Sequence, residues 1–295
     1  QKKKIIFCFI FSTAFFSMWL SNTATCLLML PIAKFVVDNC FSNKSDNYFS
    51  KILLLAIAYS SSIGGMSTPI GTIPNAVMVS FLNENYGYEI NFIDWFIFMF
   101  PIVFFLLVSL WFFFSFTIKY KNEKVDLDSL HIKYKELGKF TTKEKVSSFV
   151  LLLTSFLWIF KGKINSIFNI GLTDSGIAIM CSLLFFVLPV NKNYQTLLDF
   201  SWFRGVPWNI LILFGGGLSM ASLVVSTGLA QDLSQNLNFI SHYNFFILII
   251  FLTFFTSILT EFTSNTATTF LLLPILAAFS INNNLPLIQI ILPVV

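Results

Sequence analysis

Charge is scarce in this sequence. Charged residues make up 11% of its 295 positions, well below the share of about 25% in soluble domains, while 56% are hydrophobic and the mean hydropathy is +0.79. So little charge excludes an ordinary soluble domain and predicts an integral membrane protein. The net charge of +4 comes from lysines in loops, with a cluster in residues 119–145, and so does not indicate a nucleic-acid partner.

Cysteine and histidine are also sparse, with four and two residues. No CxxC pair occurs, and no histidine lies at metal-ligand spacing from a cysteine, which argues against a disulfide or a structural metal site. The motifs HExxH and GxSxG are missing, and Glu261 is the one acid within a predicted apolar core. Because Glu261 has no second acid or histidine to pair with there, we predict that the protein is not an enzyme.

An internal repeat is the most informative feature that is present. Residues 21–25, SNTAT, return unchanged as residues 264–268, and the apolar positions after them match in the same register. Hydrocarbon penalises unpartnered amides and hydroxyls, so a polar cluster placed there twice predicts a binding site shared by two halves of a membrane transporter. Simple packing of these side chains between helices is the alternative, and the duplication disfavours it.

The apolar stretches around the repeat have an unusual length. Residues 5–37 are too many for one crossing of roughly 20 residues and too few for two crossings with a loop. We therefore predict a re-entrant hairpin that turns at residues 21–23, and a second one in residues 243–280 that turns at residues 264–266. Between them we predict five crossings, at residues 51–82, 92–118, 146–160, 176–190 and 207–225.

The lysine cluster predicts the orientation. The positive-inside rule places residues 119–145 in the cytoplasm. Two crossings separate this loop from the first hairpin, so the first hairpin enters from the cytoplasm as well. Five crossings put the second hairpin on the opposite side, which makes an all-α inverted repeat. Lys161 and Lys163 lie in a predicted external loop and count against this topology. Asn43 begins a glycosylation sequon that would stay unmodified, and sugar on it would invert the topology.

This topology divides the chain into four segments. We predict the first hairpin, a broken helix and a span in residues 1–118, and the cytoplasmic loop in residues 119–145. Scaffold spans follow in residues 146–242. The second hairpin and the start of another broken helix occupy residues 243–295.

The hairpin tips suit a pair of ions. Helical arms starting at Ala24 and Ala267 would present unpaired N–H groups and a positive dipole end to an anion. Side chains at the two turns add further donors: Asn22, Thr23, Asn265 and Thr266. The opposite arms end in unpaired carbonyls which, with the hydroxyls of Ser17 and Thr260, favour a small hard cation. Adjacent anion and cation sites provide a physical basis for coupled binding.

Residues 64–75 carry three glycines and two prolines, so they cannot continue a regular helix. Carbonyls freed at membrane depth would coordinate an ion, which makes Gly71 and Thr72 candidate partners of the first hairpin's cation, with a packing kink as the alternative. Residues 215–217, GGG, predict close helix packing rather than a phosphate loop. For Glu261, a functional role and a hydrogen bond to a neighbouring helix stay open.

Four segments, residues 16–25, 64–75, 207–217 and 260–268, together resemble the divalent anion:sodium symporter family. The resemblance covers nearly the whole chain in the right order. It implies a homodimer whose protomers each have a scaffold domain and a transport domain that moves like an elevator, in the plasma membrane. It also implies that substrate contacts Ser21, Asn22, Thr23, Ser264, Asn265 and Thr266. Sodium would lie among Ser17, Asn22 and Gly71 in one site, and near Thr260 and Asn265 in the other.

The predicted function is sodium-coupled symport of a dianionic carboxylate such as succinate or citrate, with sodium as the co-transported ion and no other cofactor. A sulfate symporter, and a uniporter or channel that ignores sodium, are the alternatives. In the family a second broken helix follows the second hairpin, and the sequence stops at Val295 before one appears. We therefore expect that the chain is cut at both ends and that residues 1–295 do not transport alone.

Overall fold

The computed structural model describes residues 2–40, 47–118, 132, 134–136, 138–191, 194–206, 208–237 and 244–295. These residues form α-helices, two short 3-10 helices and one isolated bridge between Pro189 and Thr196. The predicted all-α class is confirmed. Most of the predicted cytoplasmic loop, residues 119–131 above all, and the sequon at Asn43 lie outside the described residues.

The chain forms two compact units, each described here by itself. The first comprises Gln1–Gly71 and Asn91–Val206. Its helices are α1 (Lys2–Ser17), α2 (Asn22–Cys40), α3 (Asn47–Gly65), α5 (Phe92–Thr117), α6 (Thr142–Phe168) and α7 (Asp174–Val187), followed by a 3-10 helix at Phe200–Gly205.

The second unit comprises Thr72–Ile90 and Pro207–Val295. Its helices are α4 (Ile73–Tyr86), α8 (Trp208–Ser226), α9 (Leu229–Asn236), α10 (Phe245–Phe262), α11 (Asn265–Asn282) and α12 (Leu287–Ile291), with a 3-10 helix at Leu292–Val294.

Within the described part of the chain, four helices are long and apolar enough to cross a membrane, namely α5, α6, α10 and α11. The bent pair of α8 and α9 also qualifies when it is taken as one span. On α5, large side chains such as Phe105 (69% exposed) and Phe116 (81% exposed) face outward, as lipid-contacting residues do. These helices confirm a membrane protein.

The main core of the first unit lies among the first helix pair, α3 and α5, and a smaller apolar cluster lies between α6 and α7. One face of α1 is buried, with Ile6, Ile10 and Ala14 among its residues, and α3 packs along it. At the far end of the unit, α6 contacts α5 through stacked rings of Phe92 and Trp158, whose centroids are 5.8 Å apart. An ion pair of 2.9 Å between Lys161 and Asp174 joins α6 to α7.

Helix α11 forms the centre of the second unit and contacts α4, α8, α9, α10 and α12. Its residues are buried from Thr268 to Ser280 with few interruptions. The predicted crossing at residues 207–225 corresponds to α8, and after α8 the chain bends by 73° into α9. The bend lies at Gly228, whose φ of 79° is a left-handed conformation that glycine adopts without strain.

Candidate functional site

The first helix pair meets in a short turn. Helix α1 ends at the buried residue Ser17, and α2 begins at Asn22. Within the turn, the Phe16 carbonyl accepts hydrogen bonds from the N–H groups of Trp19 (3.1 Å) and Leu20 (3.0 Å). A polar turn between two apolar helices was predicted at this place, and the helix pair is confirmed. Whether it re-enters the membrane stays a prediction.

A serine caps the second helix of each pair in the same way. The Ser21 hydroxyl accepts from the Ala24 N–H at 3.3 Å, and its carbonyl accepts from the Thr25 N–H at 2.9 Å. In the other copy the Ser264 hydroxyl accepts from Ala267 at 3.1 Å. The two sequence copies therefore fold into matching helix starts.

This capping corrects the predicted helix starts. We expected the arms to begin at Ala24 and Ala267, with Asn22 and Asn265 in the turns, whereas both asparagines occupy the first helical position. The reason is that serine is a strong N-cap residue, so the helix starts directly after it. Consequently the N–H groups of Asn22 and Thr23 are the ones that have no partner within α2.

Oxygen atoms of three residues converge at the first tip. The Ser17 hydroxyl lies 2.8 Å from the side-chain oxygen of Asn22 and 2.6 Å from the main-chain oxygen of Ser61 in α3. A hydroxyl has one proton, so it donates to only one of these acceptors. The Asn22 and Ser61 oxygens therefore compete for that proton. The acceptor that does not receive it faces the Ser17 oxygen directly, unless the Asn22 amide is turned over.

Two glycines of the broken segment allow the main chain to approach this cluster. A Cβ atom at Gly65 would clash with the Asn22 side-chain oxygen and would lie 3.2 Å from the Gly71 carbonyl oxygen. A Cβ atom at Gly71 would clash with the main chain of Gly65. The structure therefore brings together Ser17, Asn22 and Gly71, three residues that were predicted as one cation site.

Three further residues position the site and were missed in the sequence. Ser61 supplies a carbonyl, the Thr68 hydroxyl donates to the Met18 carbonyl at 2.6 Å, and the Trp95 indole donates to the Met66 carbonyl at 3.0 Å. Ser61 contributes through its main-chain carbonyl, which no pattern of side chains marks. No local signal pointed to Thr68 or Trp95, because their partners lie far away in sequence.

The second tip has a different set of contacts. The Thr260 hydroxyl donates to the Ser257 carbonyl of its own helix at 3.0 Å, and Asn265 is exposed. The Thr263 and Thr268 hydroxyls form a hydrogen bond to each other. Glu261 is exposed near the end of α10, and its place in the apolar core of the membrane stays a prediction.

Thr72 belongs to the second unit, where it is the residue before α4 and its side chain makes no capping hydrogen bond. Its assignment to the first cation site stays a prediction. The first tip lies in the first unit and the second tip in the second unit. A joint site of both tips is therefore still a prediction as well.

Comparisons with known proteins cover nearly the whole chain. A family model described as citrate transporter, CitMHS, matches residues 1–293. A sodium-dependent dicarboxylate transporter, SdcS, of Staphylococcus saprophyticus is 34% identical over 98% of the chain and 59% of its own length. The SdcS protein of Staphylococcus aureus strain USA300 is 35% identical over 94% of the chain and 56% of its own length. The chain thus spans less than two thirds of these relatives.

Proposed function

Because the chain belongs to the citrate transporter family and is a multi-pass membrane protein, we propose that it works as a sodium-coupled symporter for dicarboxylates. The family agrees with the resemblance to divalent anion:sodium symporters noted in the sequence, and with the prediction that the protein is not an enzyme. Both relatives are named sodium-dependent dicarboxylate transporters, so sodium and dicarboxylates are the ions to test.

The oxygen cluster at the first tip carries the proposal. The cluster consists of neutral oxygen acceptors from Ser17, Asn22, Ser61 and the glycine segment. The Ser17 hydroxyl has a single proton to share between the Asn22 and Ser61 oxygens. A small hard cation relieves the repulsion among such lone pairs. Divalent cations in proteins recruit carboxylates, and none of these ligands is charged, so a monovalent cation such as sodium fits this set best.

The anion would bind on the helix side of each tip. The N–H groups at the start of α2 and α11 have no carbonyl acceptor within their own helix, and the positive end of each helix dipole lies there. The capping hydroxyls of Ser21 and Ser264 accept from the main chain and keep their own proton to donate to a carboxylate. Together with Asn22, Thr23, Asn265 and Thr266, these groups form the proposed substrate site.

Asn22 couples the two ligands in this proposal. When its amide oxygen faces the cation, its NH₂ group points away from the oxygen cluster and donates to the anion. Each bound ion therefore fixes Asn22 in the orientation that the other ion needs. Such mutual stabilisation is a coupling free energy between two sites, and it acts in both directions.

The wider architecture is part of the same proposal. Two helix pairs with matching caps, and prolines at the equivalent positions Pro31 and Pro274, support an inverted repeat with two re-entrant hairpins. The proposal retains the elevator-type movement, the homodimer in the plasma membrane, and the second sodium site near Thr260 and Asn265. A distance measured between spin labels on the two tips in a lipid bilayer would test the joint site.

The decisive experiment measures uptake of radiolabelled succinate, citrate and sulfate by the full-length protein, with sodium present or replaced by choline. We expect succinate or citrate uptake that depends on sodium. Flux that is equal in choline would refute the symporter and favour a uniporter or channel, and sulfate uptake alone would change the substrate.

Asn22→Ala and Asn265→Ala are the matched variants for this assay. Each should abolish uptake while the amount of protein in the membrane stays the same. Asn39→Ala is a suitable control, because Asn39 is exposed on α2 and its amide donates to the Phe35 carbonyl of the same helix. Normal transport by Asn22→Ala would remove the first tip from the site.

A further inference from the structure

Thr68 lies at the centre of the broken segment and is fully buried, although nothing in the sequence marked it as part of a site. Its hydroxyl donates to the Met18 carbonyl at 2.6 Å, across a sequence separation of 50 residues. Its own carbonyl accepts from the Gly71 N–H at 3.3 Å. One residue therefore joins the hairpin turn to the glycine segment.

Both ends of this connection lie next to proposed sodium ligands. Met18 directly follows Ser17 in the turn that leads to Asn22, and Gly71 is itself a proposed ligand. The Met18 carbonyl belongs to the end of α1, where helix carbonyls have no partner within the helix. The Thr68 hydroxyl satisfies this carbonyl and holds the turn at a fixed distance from the glycine segment.

We infer that Thr68 is a positioning residue for sodium: it sets the spacing between the hairpin oxygens and the broken-segment oxygens without coordinating the ion. The inference rests on the proposed function and deepens it at the first site. Two other contacts hold the broken segment without involving the hairpin: the Ser67 N–H donates to the Gly64 carbonyl at 3.1 Å, and the Trp95 indole of α5 donates to the Met66 carbonyl. The Thr68 hydroxyl joins the broken segment to the hairpin turn directly, whereas the Ser17 hydroxyl joins the hairpin to α3 through the Ser61 carbonyl.

The test compares Thr68→Val, Thr68→Cys and Thr68→Ser in the full-length protein. Valine keeps the shape and removes the hydroxyl, cysteine offers a weak donor, and serine keeps the hydroxyl and removes a methyl group. Thr154→Val is the control, because the half-buried Thr154 hydroxyl donates at 2.7 Å to the Val150 carbonyl of its own helix. The readouts are the sodium concentration for half-maximal succinate uptake, the KM for succinate at saturating sodium, and the maximal rate.

We expect Thr68→Val to raise the half-saturating sodium concentration about five- to tenfold, as loss of one buried hydrogen bond implies. The KM for succinate and the maximal rate at saturating sodium should stay within about twofold, because excess sodium restores occupancy. Thr68→Ser and Thr154→Val should match the wild type, and Thr68→Cys should lie between serine and valine. This graded order separates the hydroxyl from a general packing effect.

The inference would be overturned if Thr68→Val had the half-saturating sodium concentration of the wild type. It would also be overturned if Thr68→Ser raised that concentration as much as Thr68→Val does. If Thr68→Val does not reach the membrane, Thr68→Cys is the deciding variant. A half-saturating sodium concentration of Thr68→Cys equal to that of the wild type would also overturn the inference. A wild-type protein that transports equally in choline refutes the proposed function, and this inference with it. A sodium-dependent wild type with an unchanged Thr68 series refutes the inference alone.

Discussion

Gly65→Ala should damage sodium binding far more than it damages the fold. The added methyl would collide with the Asn22 side-chain oxygen and lie 3.2 Å from the Gly71 oxygen, while Gly65 itself ends helix α3. Overpacking of this kind costs about 1–3 kcal/mol, and the better helix propensity of alanine returns up to about 1 kcal/mol. The net loss of stability is therefore roughly 0–3 kcal/mol. Asn22, as the end of a side chain, gives way first and leaves the oxygen cluster.

Displacement of one ligand in this way should weaken sodium binding on the order of 10- to 100-fold, the range found when groups that orient metal ligands are removed. The measurement is the sodium dependence of thermal unfolding of the purified protein, with potassium as the reference salt. Gly216→Ala is the matched control, since a Cβ atom there would meet no described residue within 4 Å outside its own stretch of helix. If Gly65→Ala kept the sodium-dependent rise in unfolding temperature of the wild type, Asn22 would not be a sodium ligand.

Two further pairs of variants test the packing without reference to transport. Gly217→Ala should lose about 1–3 kcal/mol in unfolding measurements, because its methyl would collide with the Phe270 ring, whereas Gly216→Ala should gain up to about 1 kcal/mol from helix propensity. Equal stabilities would contradict the packing of α8 on α11. Thr25→Val should be neutral or stabilising, because the buried Thr25 hydroxyl has no hydrogen-bond partner among the described residues. Thr268→Val should destabilise the protein by about 1–3 kcal/mol, because the Thr268 hydroxyl bonds to Thr263 and to the Ser264 carbonyl at 3.1 Å. A larger loss of stability from Thr25→Val than from Thr268→Val would contradict these contacts.

Local patterns in the sequence predicted the elements of the fold and the places where they break. Apolar runs marked the helices, the polar repeat marked both turns, and the glycines and prolines of residues 64–75 marked the interruption between α3 and α4. The packing role of GGG is confirmed at Gly217, which lies against Phe270. These signals are local because helix geometry and helix breaking depend on neighbouring residues.

The errors at the helix starts were also local and were avoidable. Serine before asparagine is a capping pattern, and applying it would have placed the starts at Asn22 and Asn265 rather than at Ala24 and Ala267. The bend after α8 is a different case. Gly228 by itself is compatible with a helix end, and its angle of 73° depends on how α9 packs against α11.

The partners of the site residues were beyond reach of the sequence because they depend on tertiary contacts. The hydroxyl of Ser17 donates to Ser61, 44 residues away, and that of Thr68 to Met18, 50 residues away. A repeat predicts that two segments share a local shape, as the matching caps of Ser21 and Ser264 show. It does not predict that they share neighbours.

The two tips accordingly differ where their neighbours differ. Ser17 and Thr260 are equivalent in the repeat, yet the Ser17 hydroxyl joins two helices whereas the Thr260 hydroxyl donates within its own helix. Leu20 stands where the second copy has Thr263, so Thr25 has no hydroxyl to pair with, while Thr268 does. Because cation affinity depends on how rigidly the ligands are held, identical SNTAT sequences do not imply two equivalent sodium sites. Of the two proposed sites, the first is the one whose ligands are joined by a hydrogen bond between helices, from Ser17 of α1 to Ser61 of α3.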